Sequence, residues 1–165
     1  MTAKEYNDGV ALWADDAMRF AVRCGGSRAD SQDAVQEACA SLWSHRERVE
    51  AGRGKSFLLS ATYRRLMHLF RHRRVERDYA SVQSPDDFAG QPDERFDLRE
   101  AIERSLGTLP EVQRAILQLR DVEGYSYAEI GDTLGLNGDQ VQVYLFRARV
   151  AMRKQLKSMG YGNNQ

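Results

Sequence analysis

The sequence has little of what a secreted, membrane-spanning or disulfide-built chain needs. Only two cysteines, Cys24 and Cys39, occur in 165 residues. They form no CxxC pair and no framework, and both fall on apolar helical faces, so they read as reduced core residues of a cytoplasmic protein. No apolar run approaches the roughly 18 to 20 residues that cross a bilayer, which excludes membrane insertion. The first ten residues, MTAKEYNDGV, hold no apolar signal core, which argues against secretion. Of three prolines, two crowd into one stretch near the middle. Period-two alternation is missing throughout, so no strand is expected and the fold class is all-α. GxxxxGK[ST], HExxH and GxSxG are also missing, so the chain reads as no enzyme and implies no cofactor. His68 and His72 stand four apart, as a helical metal pair would, but no third ligand is near and arginines surround them, so no metal is expected.

An excess of charge of either sign is lacking too. Lys and Arg number 24, Asp and Glu number 24, and the net charge is zero. That balance would disfavour a nucleic-acid binder if the charge were evenly spread, and it is not. Arg64 to Arg77 is strongly basic, Asp78 to Glu100 is acidic, and Arg147 to Lys157 is basic again. Segregation of this kind says more about partners than the sum does.

What is present is helical periodicity. Tyr6, Val10, Trp13, Ala17, Phe20 and Ala21 predict a helix over 4–24, stopped by Gly25-Gly26. Val35, Ala38, Cys39, Leu42 and Trp43 form the stripe of a second helix over about 31–46, with Asp33 and Glu37 one turn apart on another face. After a flexible break at 50–54, a third helix over about 55–76 buries Phe57, Leu58, Ala61, Leu66, Leu69 and Phe70. Its second half, YRRLMHLFRHRRVER, interleaves aromatic and basic residues. That mixture suits a nucleic-acid surface, where arginine meets phosphate and aromatics stack on unpaired bases. It also suits a solvated basic helix end, favoured by the dipole. Residues 78–96 carry two prolines and two acidic clusters without helical period, and read as a linker between two small helical domains.

Past the linker, a helix over about 97–106 precedes Leu109-Pro110, and the proline opens the next helix, buried through Val112, Ile116, Leu117 and Leu119. Gly124 ends that connection. Ser126 and Glu129 then form a capping box for a short helix with Ala128, Ile130 and Leu134 as its apolar face. Gly135-Leu136-Asn137-Gly138 breaks it, with glycine and asparagine tolerating a left-handed turn. A second helix starts near Asp139, and Val141, Leu145, Ala148, Met152 and Leu156 supply its buried stripe. Two helices joined by a short glycine-containing turn describe a helix-turn-helix, whose second helix enters the DNA major groove. The same pattern fits an ordinary helical hairpin whose basic residues face water. The tail from Gly160 to Gln165 is expected to fray.

Two separate motifs then carry a resemblance. SQDAVQEACASLW is similar to the region-two signature of the bacterial sigma-70 family, an acidic residue followed by VQE and an LW pair. Leu109-Pro110 with Gln113-Arg114, Gly124 to Gly131, Leu134-Gly135, and Leu145-Phe146-Arg147-Ala148-Arg149 resemble its region four. Together they cover about residues 6–157, in the family's order, and point to its short extracytoplasmic-function (ECF) group. The resemblance implies a region 2-like three-helix domain over 4–77, an acidic linker over 78–96 near the RNA exit path, and a region 4-like helix-turn-helix domain over 97–157.

The resemblance further implies partners and roles: core RNA polymerase, promoter DNA and an anti-sigma protein. Asp33, Gln36 and Glu37 match the segment that docks the polymerase clamp helices, where an i,i+4 carboxylate pair suits an arginine-bearing partner. Arg64, Arg65, His68, Arg71, Arg73 and Arg74 match the half-helix that reads and opens the downstream promoter element. Asp139, Gln140, Gln142, Val143, Phe146, Arg147 and Arg149 match the helix that reads the upstream element. The chain departs from many members at Arg64 and His68, which stand where Asn and Asp are common. It also places Gln142, Val143 and Tyr144 where basic or hydroxyl residues are common. Gln can pair with adenine, and Val or Tyr can touch a thymine methyl. The expected function is promoter recognition as an alternative sigma factor. The alternatives are a stand-alone helix-turn-helix regulator and an interaction adaptor with weakened DNA binding.

Overall fold

The computed structural model describes residues 1–79 and 97–162. Among them all regular structure is helical: α1 (Ala3–Arg23), α2 (Arg28–His45), α3 (Gly54–Tyr79), α4 (Leu98–Thr108), α5 (Glu111–Leu117), α6 (Tyr127–Leu134) and α7 (Gly138–Ser158). The expected linker lies outside the described residues from position 80 to 96, and its first two positions, 78 and 79, still belong to α3.

Capping decides several boundaries that periodicity alone places loosely. Thr2 accepts from the Glu5 backbone N–H while the Glu5 side chain accepts from the Thr2 N–H, so α1 opens in a capping box. α2 starts at Arg28, ahead of its apolar stripe, because Ser27 and Asp30 form a second box. The break before α3 is not featureless: two single-turn 3-10 segments, Arg46–Arg48 and Ala51–Arg53, carry the chain across it. The N-terminal ammonium fixes this crossing by donating to the carbonyls of Arg46 at 2.8 Å and Val49 at 3.0 Å. After α5 the coil widens into a π-helical stretch, Gln118–Val122, which the sequence pattern does not announce. There the Glu123 N–H reaches the Gln118 carbonyl at 3.0 Å, five residues back.

The core is continuous from α1 to α7. Phe20, Leu42, Leu58, Leu59 and Leu66 are fully buried among α1–α3, and Ile116, Leu119, Ile130 and Val141 among the later helices. α3 packs on α1 and α2 and also on α6. Several expectations about faces are corrected. Trp43 is exposed, with its ring edge-on to Tyr6 and the Arg46 guanidinium 3.9 Å from its centroid. Cys39 is only half-buried, whereas Cys24 is sealed. Ala128 faces solvent, and Ile130, Gly131 and Thr133 form the buried side of α6 instead. The hydroxyl of Thr133 is satisfied by the Glu129 carbonyl at 2.8 Å, which lets a polar residue sit there. Leu59, Thr62, Tyr63 and Met67 join the buried face of α3, while Phe57, Ala61, Leu69 and Phe70 are half-covered.

Where the first three helices meet the later four, charge is buried with them. Lys55 Nζ lies 3.0 Å from Asp16 Oδ2 and 3.1 Å from Glu123 Oε2, with all three side chains mostly covered. Burial disfavours the ammonium, but the bonds to Asp16 and Glu123 outweigh it and hold the Lys55 pKa above its usual value. Arg74 pairs with Glu111 across the same junction.

Candidate nucleic-acid interface

The helix-turn-helix is built by close approach and two caps. Ser126 and Glu129 form the expected box at the start of α6. Gly135 ends α6 in the left-handed conformation at φ +71°, where only glycine is at ease. Gly131 has no room for a side chain, since a Cβ there would lie 2.6 Å from the Leu136 carbonyl oxygen. Asn137 is extended at φ −81° and not left-handed; it caps α7, which therefore begins at Gly138. Asp139 falls in the first turn, as its type suits. Val141, Leu145 and Ala148 are buried, and Met152 and Leu156 half-buried, so the stripe of α7 faces the bundle as expected.

The opposite face of α7 fixes what is free to touch a groove. Asp139, Gln142, Val143, Phe146 and Arg147 are exposed. Gln140 is exposed as well, but its Oε1 accepts from the Asn137 N–H at 3.0 Å. Arg149 is paired with Asp121 at 3.0 Å. Tyr144 turns inward against the core.

On α3 the structure sorts the arginines into two groups. Arg64, His68 and Arg71 are exposed, and no acidic side chain pairs with them among the described residues. Arg65, Arg73 and Arg74 are already engaged. Arg65 Nε bridges Asp33 at 3.0 Å and Glu37 at 3.4 Å. Thus a candidate DNA contact is brought onto two candidate polymerase contacts, while Gln36 stays exposed beside them. Arg73 forks onto Asp30, one arm at 2.6 Å. That bond, against the opposing effect of burial, holds the Asp30 carboxyl below the usual carboxylate range and raises the Arg73 guanidinium. Arg74 is likewise raised by its bond to Glu111. His72 Nδ1 sits 3.4 Å from Glu76 on the same helix.

Asp30 and Lys55 were not singled out by sequence. The Ser27-x-x-Asp30 spacing signals the capping role of Asp30, though nothing local signals its arginine. A groove between α2 and α3, with a volume of about 580 Å³, is lined by Glu37, Ser41, His45, Phe57, Arg64 and His68 among others. It gathers the Arg64 and Arg65 guanidinium groups, the Glu37 carboxylate and the Phe57 ring in the same concavity.

A capped helix-turn-helix with a solvent-facing second helix that turns basic along its length is the geometry of DNA-binding proteins. The family description "Sigma-70 region 2" matches residues 10–76, and "Sigma-70, region 4" matches residues 99–152. The chain belongs to the sigma-70 family, in its extracytoplasmic-function group. It is 30% identical over 157 residues to the ECF RNA polymerase sigma factor SigE of Mycolicibacterium smegmatis, covering 92% of this chain and 61% of that protein. With SigL of Mycobacterium tuberculosis, also an ECF RNA polymerase sigma factor, it shares 28% over 165 residues, covering 94% and 88% of the two chains. Two solved structures share the fold. The sigma factor RpoE in complex with the anti-sigma factor NepR, from Bartonella quintana, superposes with a TM-score of 0.75 at 21% identity over 94% of this chain and 98% of that one. CnrH in complex with the cytosolic domain of CnrY gives 0.67 at 21% identity, over 93% and 88%.

Proposed function

We propose that this chain is an alternative sigma factor, which binds core RNA polymerase and directs it to a set of promoters. The observation that carries this is the presence of both family regions in one chain in order, the second ending in a capped helix-turn-helix. A repressor that worked alone would need only the second. The residues before the linker, 4–77, dock the polymerase and read the downstream element; residues 97–157 read the upstream one. Asp33, Gln36 and Glu37 present the docking face. Arg64, His68 and Arg71 are the α3 side chains free for DNA, with Arg65, Arg73 and Arg74 released only if their acidic partners are taken up elsewhere. On α7, Asp139, Gln142, Val143, Phe146 and Arg147 face the groove, flanked by Gln140 and Arg149.

The chain performs no chemistry in this role; strand separation is driven by binding energy and the polymerase does the synthesis. The work is done where the polymerase is; among the described residues no helix is long and apolar enough to cross a membrane. An anti-sigma protein is the expected regulator, and one similarly folded sigma factor, RpoE, is seen in complex with an anti-sigma factor. The test is reconstitution with core polymerase followed by run-off transcription. Co-elution and promoter-dependent transcripts are expected. A chain that binds a promoter without polymerase, and does not co-elute with it, would be a stand-alone regulator instead.

A further inference from the structure

A helix on a soluble protein hides one apolar face, and α7 does so through Val141, Leu145 and Ala148. It then carries a second apolar line on the opposite side. Val143 is 46% exposed, Phe146 70% and Val150 44%. Single exposed apolar residues are ordinary. Three at i, i+3 and i+7 make a stripe, and a stripe left in water needs an occupant. The neighbours say what kind: Arg147, Arg153, Lys154 and Lys157 are all exposed along the same helix, so the occupant is a polyanion that also offers apolar groups. In the major groove the one apolar group on a base edge is the 5-methyl of thymine.

The polar inventory agrees. Guanine is usually read by the fork of arginine or the ammonium of lysine, and neither residue occurs from Gly138 to Phe146. Gln140 has its amide oxygen committed to the cap, so it lacks the free pair of groups that adenine requires. Gln142 has no such commitment. Tyr144, the other residue chemically able to meet a methyl, is turned into the bundle, and Phe146 takes that place.

We propose that α7 reads its upstream element chiefly through thymine methyl groups, with Phe146 and Val143 as the specificity-determining side chains and Gln142 on adenine. The base pairs facing the first turns of α7 are then A·T pairs. This rests on the sigma-factor reading and names the bases that such a site would select.

The experiment uses holoenzyme formed from core polymerase and the full chain. An upstream element is first selected from a randomised promoter library, and each thymine in it is then replaced by deoxyuridine, which removes only the methyl. Binding by the parent holoenzyme should fall about fourfold at one or two positions, the size expected for losing one buried methyl. Phe146→Ala and Val143→Ala should bind the thymine template more weakly and each become indifferent to one of those replacements. Both side chains are exposed, so circular dichroism should match the parent. Arg147→Ala should weaken thymine and deoxyuridine templates alike. The proposal is overturned if the parent protects the upstream element yet is indifferent to every replacement. It is also overturned if Phe146→Ala and Val143→Ala keep the parent's full discrimination, as they would if the stripe served a protein partner. A selected element dominated by G·C pairs over these positions overturns it as well. Failure to form holoenzyme, or to protect any promoter, would instead overturn the sigma-factor reading itself.

Discussion

Arg65 shows how one side chain of α3 can occupy two carboxylates of α2. Its Nε holds Asp33 and Glu37, whose side chains remain 50% and 56% exposed, so a partner's arginine could still reach them. Charge reversal at both, Asp33→Lys with Glu37→Lys, should weaken core binding without unfolding the chain, because neither residue contributes to the buried stripe of α2; unchanged co-elution would remove them from the docking face. Arg65→Ala makes the opposite prediction. Deleting an internal competitor should raise core affinity by about two- to fivefold, the scale of an exposed ion pair, in a titration of labelled polymerase. A purely structural arginine would lower it. Two buried groups predict the alkaline limit. Burial pushes the Cys24 thiol from 9.0 to about 12 and the Tyr63 phenol from 10.0 to about 12. Both pKa values are raised, so their contribution is complete below pH 9, erodes as the unfolded chain begins to ionise, and is gone above 12. Alkaline unfolding followed by circular dichroism should fall in that window, and Tyr63→Phe should move its midpoint upward.

Among the elements, α6 and α7 were the most legible in the sequence. Their caps, their glycine break and their buried stripe are all local patterns, and Ser126, Gly135, Val141, Leu145 and Ala148 occupy the places those patterns predict. Asn137→Ala removes the cap of α7 and should lower stability by about 1 kcal/mol in urea unfolding. Gly131→Ala should cost about 1 to 3 kcal/mol, since the added methyl must push the Leu136 backbone away. α3 was legible in extent but not in the disposition of its charges. Periodicity marks Arg65, Arg73 and Arg74 as surface residues on a basic helix. Their acidic partners stand 32, 43 and 37 residues away in sequence, and no local pattern spans that distance. The outward Trp43 and inward Tyr63 have the same origin. An aromatic residue at the margin of a stripe is assigned to one side by the neighbouring helix, not by its own.

At the scale of the whole molecule, the structure joins its two family regions through a shared core and through Lys55, seated between Asp16 of α1 and Glu123 beyond α5. Removing its charge leaves Glu123 without its cation and Asp16 with Arg19 alone, a residue of its own helix. Lys55→Met should therefore loosen the junction, seen as a larger radius of gyration in solution scattering and faster amide exchange in α6, while the helix content stays near the parent's. On the proposed role, reaching an upstream and a downstream element together requires the two regions to part. The joined form then acts as a competitor that travels with the molecule. Apparent affinity for polymerase equals intrinsic affinity scaled by the fraction of chains already parted. The same substitution that weakens the fold at Lys55 should thus tighten holoenzyme formation, and an inhibitor that prefers the joined state would need only to deepen a well that three side chains have already dug.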